Sequence, residues 1–245
     1  MNNYDTFDFA RALPIINEDT EFFPLMSQED EDEMNNEETP EILPILPLRN
    51  TVLFPGVVIP ITVGSRDKSI NLILEAYKTN RIVGVVSQKD VAIEDPTFDQ
   101  LNQVGTVALI IKTLQMPDGN TTIIIQGKQR FRLNQEVQSD PYIKATIQKF
   151  EETKPTEDKE FRAIMAAIKD MAIQIIQLSP NIPSEAATAI KNIESPSFLI
   201  NFISSNMNAD VSSKQKMLEV VNLQERAKMV MEHLTVELQM QELKN

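Results

Sequence analysis

At 245 residues, 42% hydrophobic and a net charge of −13, the chain is long enough for two domains of ordinary size, each with its own core. It contains no cysteine, which excludes a disulfide framework, a thiolate metal site and a cysteine nucleophile. No basic start followed by an apolar leader and no run of about 18 apolar residues occurs, so a soluble, cytoplasmic protein with no membrane partner is expected.

Residues 1–40 carry 12 acidic and 1 basic side chains, residues 41–150 carry 10 and 12, and residues 151–245 carry 14 and 10. The acidity therefore belongs to the amino-terminal stretch, where Glu29-Asp30-Glu31-Asp32-Glu33 and Glu37-Glu38 repel one another and offer little apolar surface. Ordering entropy predicts a disordered tail over residues 1–40. The near-neutral body lacks the basic excess of a nucleic-acid binder, so none is expected as a partner.

From 41 to 150 the pattern is strand-like, and all six glycines fall here. The stretches 57–63, 82–86, 107–114 and 121–125 are β-branched runs of strand length. Pro60 assigns the first of these to a sheet edge or a bulge, because proline cannot donate to a ladder. Pro117-Asp118-Gly119-Asn120 combines a fixed φ, a side-chain acceptor and a residue free to take φ > 0, which predicts a hairpin. Residues 142–150 alternate, with Ile143, Ala145 and Ile147 on one face. One helix interrupts the strands, capped by Ser65, with Asp67 in its first turn and a stripe of Ile70, Ile73, Leu74 and Tyr77. Many short strands with one helix suggest a closed, twisted barrel of about six strands, since closure removes exposed edges.

After Pro155 glycine disappears and the apolar period becomes 3.6. Phe161, Ile164, Met165, Ile168, Ala172 and Ile175 form one stripe, and a short second helix is predicted over 184–193. Ser195-Pro196 supplies a cap and a first-turn proline for a third, with Leu199, Phe202 and Ile203 inward. Ser212 and Gln215 have the spacing of a capping box, followed by Met217, Leu218 and Val221. Leu223, Ala227, Val230, Leu234 and Leu238 mark a long last helix whose stripe is still running at Asn245, so either a long projecting arm or a fragment of a longer protein is expected. The reading is an α+β chain: residues 1–40 a tail, 41–150 the barrel, 151–245 an all-α bundle ending in a long helix.

Catalytic chemistry has little to build on. The single histidine, His233, sits on the last helix near Glu232 and Glu237, and a solvated helix face explains it better than a metal site. Gly127-Lys128 lacks the upstream glycine of a phosphate loop, Thr122 standing in its place. No catalytic, metal or cofactor-binding residue is assigned. The run from Gln126 to Arg132 looks like a basic-aromatic patch for RNA, but one aromatic among the cations favours a strand-turn-strand corner with solvated charges. What remains is apolar surface: Phe54 and Val57 around a turn, and Leu114 and Met116 flanking the hairpin, are the candidate contacts for extended, unfolded polypeptide.

Several short motifs recur in an order and spacing that resemble the amino-terminal domain of Lon-type ATP-dependent proteases. They are Leu46-Pro47-Leu48-Arg49-Asn50, Leu53-Phe54-Pro55-Gly56 with Pro60, Val63-Gly64-Ser65-Arg66, Val104-Gly105-Thr106-Val107-Ala108, Met116-Pro117-Asp118-Gly119 and Gly127-Lys128-Gln129-Arg130. The resemblance covers about residues 41–150, and Asn222-Leu223-Gln224-Glu225-Arg226-Ala227 is similar to the helical part that follows in that family. It implies a PUA-like β-barrel, then a helical subdomain and a long helix leading to ATPase and serine protease domains that this chain does not contain. It further implies recognition of unfolded or damaged protein and assembly into a hexamer, with ATP and Mg needed only downstream. A stand-alone PUA-like adaptor and an RNA-binding barrel are the alternatives.

Overall fold

The computed structural model describes residues 26–64, 67–153, 156 and 158–244. Seven helices and six strands appear among them, and the chain falls into two compact units. One unit holds Asp32–Glu151 together with Val211–Glu219, and the other holds Glu152–Asp210, Val220 onward and residues 26–31.

In the sheet unit the strands are β1 (Ile42–Leu48), β2 (Val58–Val63), β3 (Ile82–Ser87), β4 (Val104–Gln115), β5 (Thr121–Gln138) and β6 (Lys144–Lys149). They pair in the order β2-β5-β4-β3-β1-β6, and β6 pairs again with β5. The pairings of β5, β4, β3, β1 and β6 thus form a closed circuit, with β2 hanging on β5 alone as Pro60 requires. Alternate residues supply two cores. Leu46, Leu48, Val83, Val85, Ile110, Ile123 and Ile125 enter one, and Leu43, Ile45, Val107, Phe131, Leu133 and Ala145 enter the other.

Strand β1 is absent from the sequence reading because it carries Pro44 and Pro47. Its ladder is split so that neither proline is asked to donate. Ile45 N donates to Ile143 O across to β6 at 2.8 Å, so by alternation residue 44 faces the β3 side and residue 47 the β6 side. Pairing with β3 runs only over Ile45–Leu48 and pairing with β6 only over Ile42–Pro44. Each missing N–H points where no partner strand lies.

The helix that interrupts the strands begins at Ser69, whose N–H donates to Asp67 Oδ1 at 2.8 Å; Ser65, the expected cap, lies outside the described residues. Its buried residues are Leu72, Ile73 and Ala76, with Ile70 and Tyr77 at the margin. Leu74, expected inside, is 52% exposed because that centre of burial puts it on the far side of the helix.

The acidic run expected to stay unordered instead forms helix α1 (Gln28–Asn36). Ser27 Oγ accepts from Asp30 N at 3.1 Å while Ser27 N donates to Asp30 Oδ2 at 2.9 Å, a reciprocal cap, and Met34 is buried. Residues 1–25 lie outside the described residues. With α1 counted first, the Ser69–Lys78 helix is α2.

The helical unit contains α3 (Lys159–Leu178), α4 (Glu185–Asn192), α5 (Pro196–Asn206) and α7 (Leu223–Lys244). Asp158 caps α3 by accepting from Phe161 N at 2.8 Å, and Ser195 caps α5 by accepting from Phe198 N at 3.1 Å with Pro196 in the first turn. Most of the expected stripes are buried, Phe161, Ile164, Ile168, Ala172 and Ile175 on α3 and Leu223, Ala227, Val230 and Leu234 on α7, while Met165 and Leu238 are half-buried. Arg226, 1% exposed, is held by Asn201 Oδ1 at 2.6 Å and by Glu152 Oε1 at 3.5 Å, so its buried charge is paired. Ser195 Oγ also donates to the Glu31 carboxylate.

Helix α6 (Val211–Glu219) belongs to the sheet unit. Ser212 lies inside this helix, and Gln215 does not close a capping box with it. Its Oε1 accepts from Ser87 Oγ at 2.6 Å, and its Nε2 donates to Val104 O at 3.0 Å. Both partners are on the sheet.

Candidate interaction surface

The four nominated apolar residues separate into two pairs. Phe54 is fully buried and Val57 only 5% exposed, so neither forms the outward patch expected of it. Their turn is pinned flat on the sheet: Gly56 N donates to Gly127 O and Gly127 N to Val57 O, each at 2.9 Å, and Thr106 Oγ1 donates to Leu53 O at 2.7 Å. A Cβ on residue 127 would stand 2.3 Å from Phe54 O, so glycine there is what lets the turn close down and take its side chains inside.

Leu114 and Met116 are 38% and 43% exposed. They stand at the end of β4 beside a well-built turn. Met116 N donates to Asn120 O at 2.8 Å, Gly119 N to Met116 O at 3.0 Å, and Asn120 N to Asp118 Oδ1 at 3.0 Å. Gly119 takes φ 88, the left-handed region for which the motif selects it. Leu114 pairs with Thr122 and Gln115 with Thr121, so Leu114 sits on the ladder and Met116 directly past its end. Strand β2 pairs with β5 on the side away from β4, and its second edge meets no strand among the described residues. Ile59 and Ile61 of β2 pack on the core while Pro60 is exposed. The hairpin tip offers apolar side chains and the β2 edge, beyond β5, offers limited main-chain pairing, the two kinds of contact an extended peptide uses.

The run from Gln126 to Arg132 has no turn; β5 passes straight through it. Its cations are also not simply solvated. Arg130 is buried, donates from Nη1 to Leu218 O at 2.6 Å, and lies 4.1 Å from the Phe150 ring, against which Arg132 also stacks at 4.7 Å. Lys128 pairs with Glu37 Oε1 at 3.1 Å. These partners favour the structural reading over the RNA one.

A recess of about 200 Å³ lies between β1, β3 and the end of α2, lined by Ile42, Pro44, Glu75, Ile82, Tyr142 and Lys144 among others. In it the Tyr142 hydroxyl donates to the Glu75 carboxylate, and burial first, then that anion, pushes the phenol up to about 12. His233 is exposed on α7, and no group of three or more metal-ligating side chains occurs among the described residues. No helix there is long and apolar enough to cross a membrane. One surface escaped the sequence reading: Val236, Met240 and Leu243 of α7 are all exposed. Their i, i+4, i+7 spacing is itself the signal, overlooked because the neighbouring stripe from Leu223 is stronger.

Residues 42–236 match the family model of the ATP-dependent protease La (LON) substrate-binding domain. Over 235 residues the chain is 56% identical to the Lon protease of Flavobacterium johnsoniae, covering 96% of this chain and 29% of that protein. It is 46% identical to the Lon protease of Cytophaga hutchinsonii, covering 93% of the chain and 28% of the relative. The chain thus spans under a third of the length of these relatives, and the matched region is the substrate-binding domain rather than the catalytic part. In fold it is similar to the N-terminal domain of the Mycobacterium avium complex Lon protease, with a TM-score of 0.67 at 18% identity, covering 79% of this chain and 98% of that one.

Proposed function

The chain belongs to the Lon protease substrate-binding domain family, and from that premise we propose that it captures unfolded or damaged polypeptides for a cytoplasmic ATP-dependent protease and contributes to its assembly as a hexamer. The closed circuit of strand pairings supports a PUA-like barrel as the scaffold. ATP and Mg are used by the downstream part of the protease, and this segment supplies no cofactor site. Nucleic acid has no role in this reading.

The observation that carries the proposal is the exposure of Leu114 and Met116 on a hydrogen-bonded hairpin whose other strand, β5, carries the edge strand β2 on its far side. An adaptable thioether and a branched aliphatic suit many client sequences, and Pro60 keeps strand addition short enough for release. Replacing both side chains with serine is expected to weaken binding of a labelled, chemically unfolded polypeptide about tenfold, equivalent to ~1.4 kcal/mol, with the thermal midpoint unchanged. Fluorescence anisotropy reads the affinity. Undiminished binding by Leu114→Ser/Met116→Ser overturns this site.

A further inference from the structure

The outer edge of β2 is defined group by group. Gly127 N donates to Val57 O at 2.9 Å, and residues 57 and 127 continue the register that sets Ile59 against Ile125 and Ile61 against Ile123. Alternation then aims the main chain of residues 59, 61 and 63 at β5 and that of Val58, Pro60 and Thr62 away from it. A side-chain contact agrees: Thr62 Oγ1 lies 3.0 Å from Thr122 Oγ1, as in the closer, non-hydrogen-bonded class of antiparallel pair. Among the described residues the outward groups take part in no turn or loop bond. The edge therefore carries N–H donors at Val58 and Thr62 and carbonyl acceptors at Val58, Pro60 and Thr62, with the missing donor in the middle.

We propose that this edge is a separate client contact that reads main chain rather than side chains. It takes an extended segment of client polypeptide that sets an N–H opposite Pro60 and complete amide pairs opposite Val58 and Thr62. The inference rests on the capture reading above and adds the class of segment: strand-forming, about five residues long, and without proline at the alternate positions that face β2. A second copy of β2 fits less well. Antiparallel pairing of two copies centred on Pro60 brings their Pro60 carbonyls face to face with no donor between them, whereas a client strand supplies one. Leu114 lies in one row with Thr122 and Thr62, across β4, β5 and β2, about 10 Å in from the edge strand. A segment paired at the edge leaves Leu114 uncovered, so the two contacts are tested separately.

The test is NMR on the full chain, and the probe is a peptide of alternating valine and threonine, N-methylated at every second residue so that it pairs along one edge only. In the free chain the amides of Val58 and Thr62 are expected to exchange fast with solvent and those of Ile59 and Ile61 slowly, and added peptide should slow the first pair. Val58→Pro and Thr62→Pro each remove an outward donor and spare the bonds to β5, and each is expected to weaken peptide binding about fivefold. Pro60→Val supplies the missing donor and should tighten binding about threefold, a gain that no folding defect imitates. Protection of Val58 and Thr62 before peptide is added would show that a second copy or another segment of this chain holds the edge, and would overturn the proposal. Failure of the peptide to bind, or equal affinity in the parent and all three variants, overturns it too. Binding of unfolded polypeptide that still depends on Leu114 and Met116 would then leave the capture reading standing, whereas a parent chain that binds no unfolded polypeptide removes both.

Discussion

The phenol of Tyr142 donates to Glu75 of α2, and burial followed by that carboxylate raises its pKa to about 12. Between its ordinary value of 10.0 and about 12 the folded protein keeps a proton that the unfolded chain releases. Stability from this group is complete below pH 10 and lost as pH rises towards 12. Denaturant unfolding across that window should therefore fall more steeply for the parent than for Tyr142→Phe, and parallel curves would refute the assignment. At the other end of the scale, the Ser27 hydroxyl and N–H hold Asp30 below its ordinary value of 3.8, so the cap of α1 is present above that pH and fades as pH falls. Neither pairing is visible in the sequence for Tyr142, whose partner lies 67 residues away, whereas Ser27 and Asp30 stand three apart and were hidden only by the acidic run around them.

Helix α6 shows how far local spacing reaches. Ser212 and Gln215 satisfy the capping-box pattern, yet Gln215 is spent on Ser87 and Val104, the latter 111 residues away. Gln215→Ala leaves a buried hydroxyl and a buried carbonyl without that partner and is expected to cost about 1–3 kcal/mol. Ser212→Ala, in contrast, should fall within about 0.5 kcal/mol of the parent. Equal losses in urea unfolding would restore the capping box. The helices α3, α5 and α7 were legible because a 3.6-residue apolar stripe and a cap are local properties. β1 was not, since two prolines argue against a strand until the two-sided split of its pairing is known.

For the chain as a whole, the proposed role separates capture from chemistry. The isolated chain should bind unfolded polypeptide while hydrolysing neither ATP nor peptide bonds, and turnover of either by purified protein would contradict it. Composition and periodicity by themselves determined the α+β character, the change from strands to helices near residue 155, the hairpin at Gly119 and the absence of a thiol chemistry, because each follows from residue type or from spacing within a few positions. Only the tertiary structure decided which apolar residues face water. Phe54 and Val57 go inside because Gly127 lets their turn approach β5, while Leu114, near the end of the β4–β5 ladder, and Met116, directly past it, stay exposed. It likewise gave the acidic run a helix and the basic run its partners. Burial is a property of contacts between distant segments, and no local pattern encodes which of two equally apolar side chains a neighbour will cover.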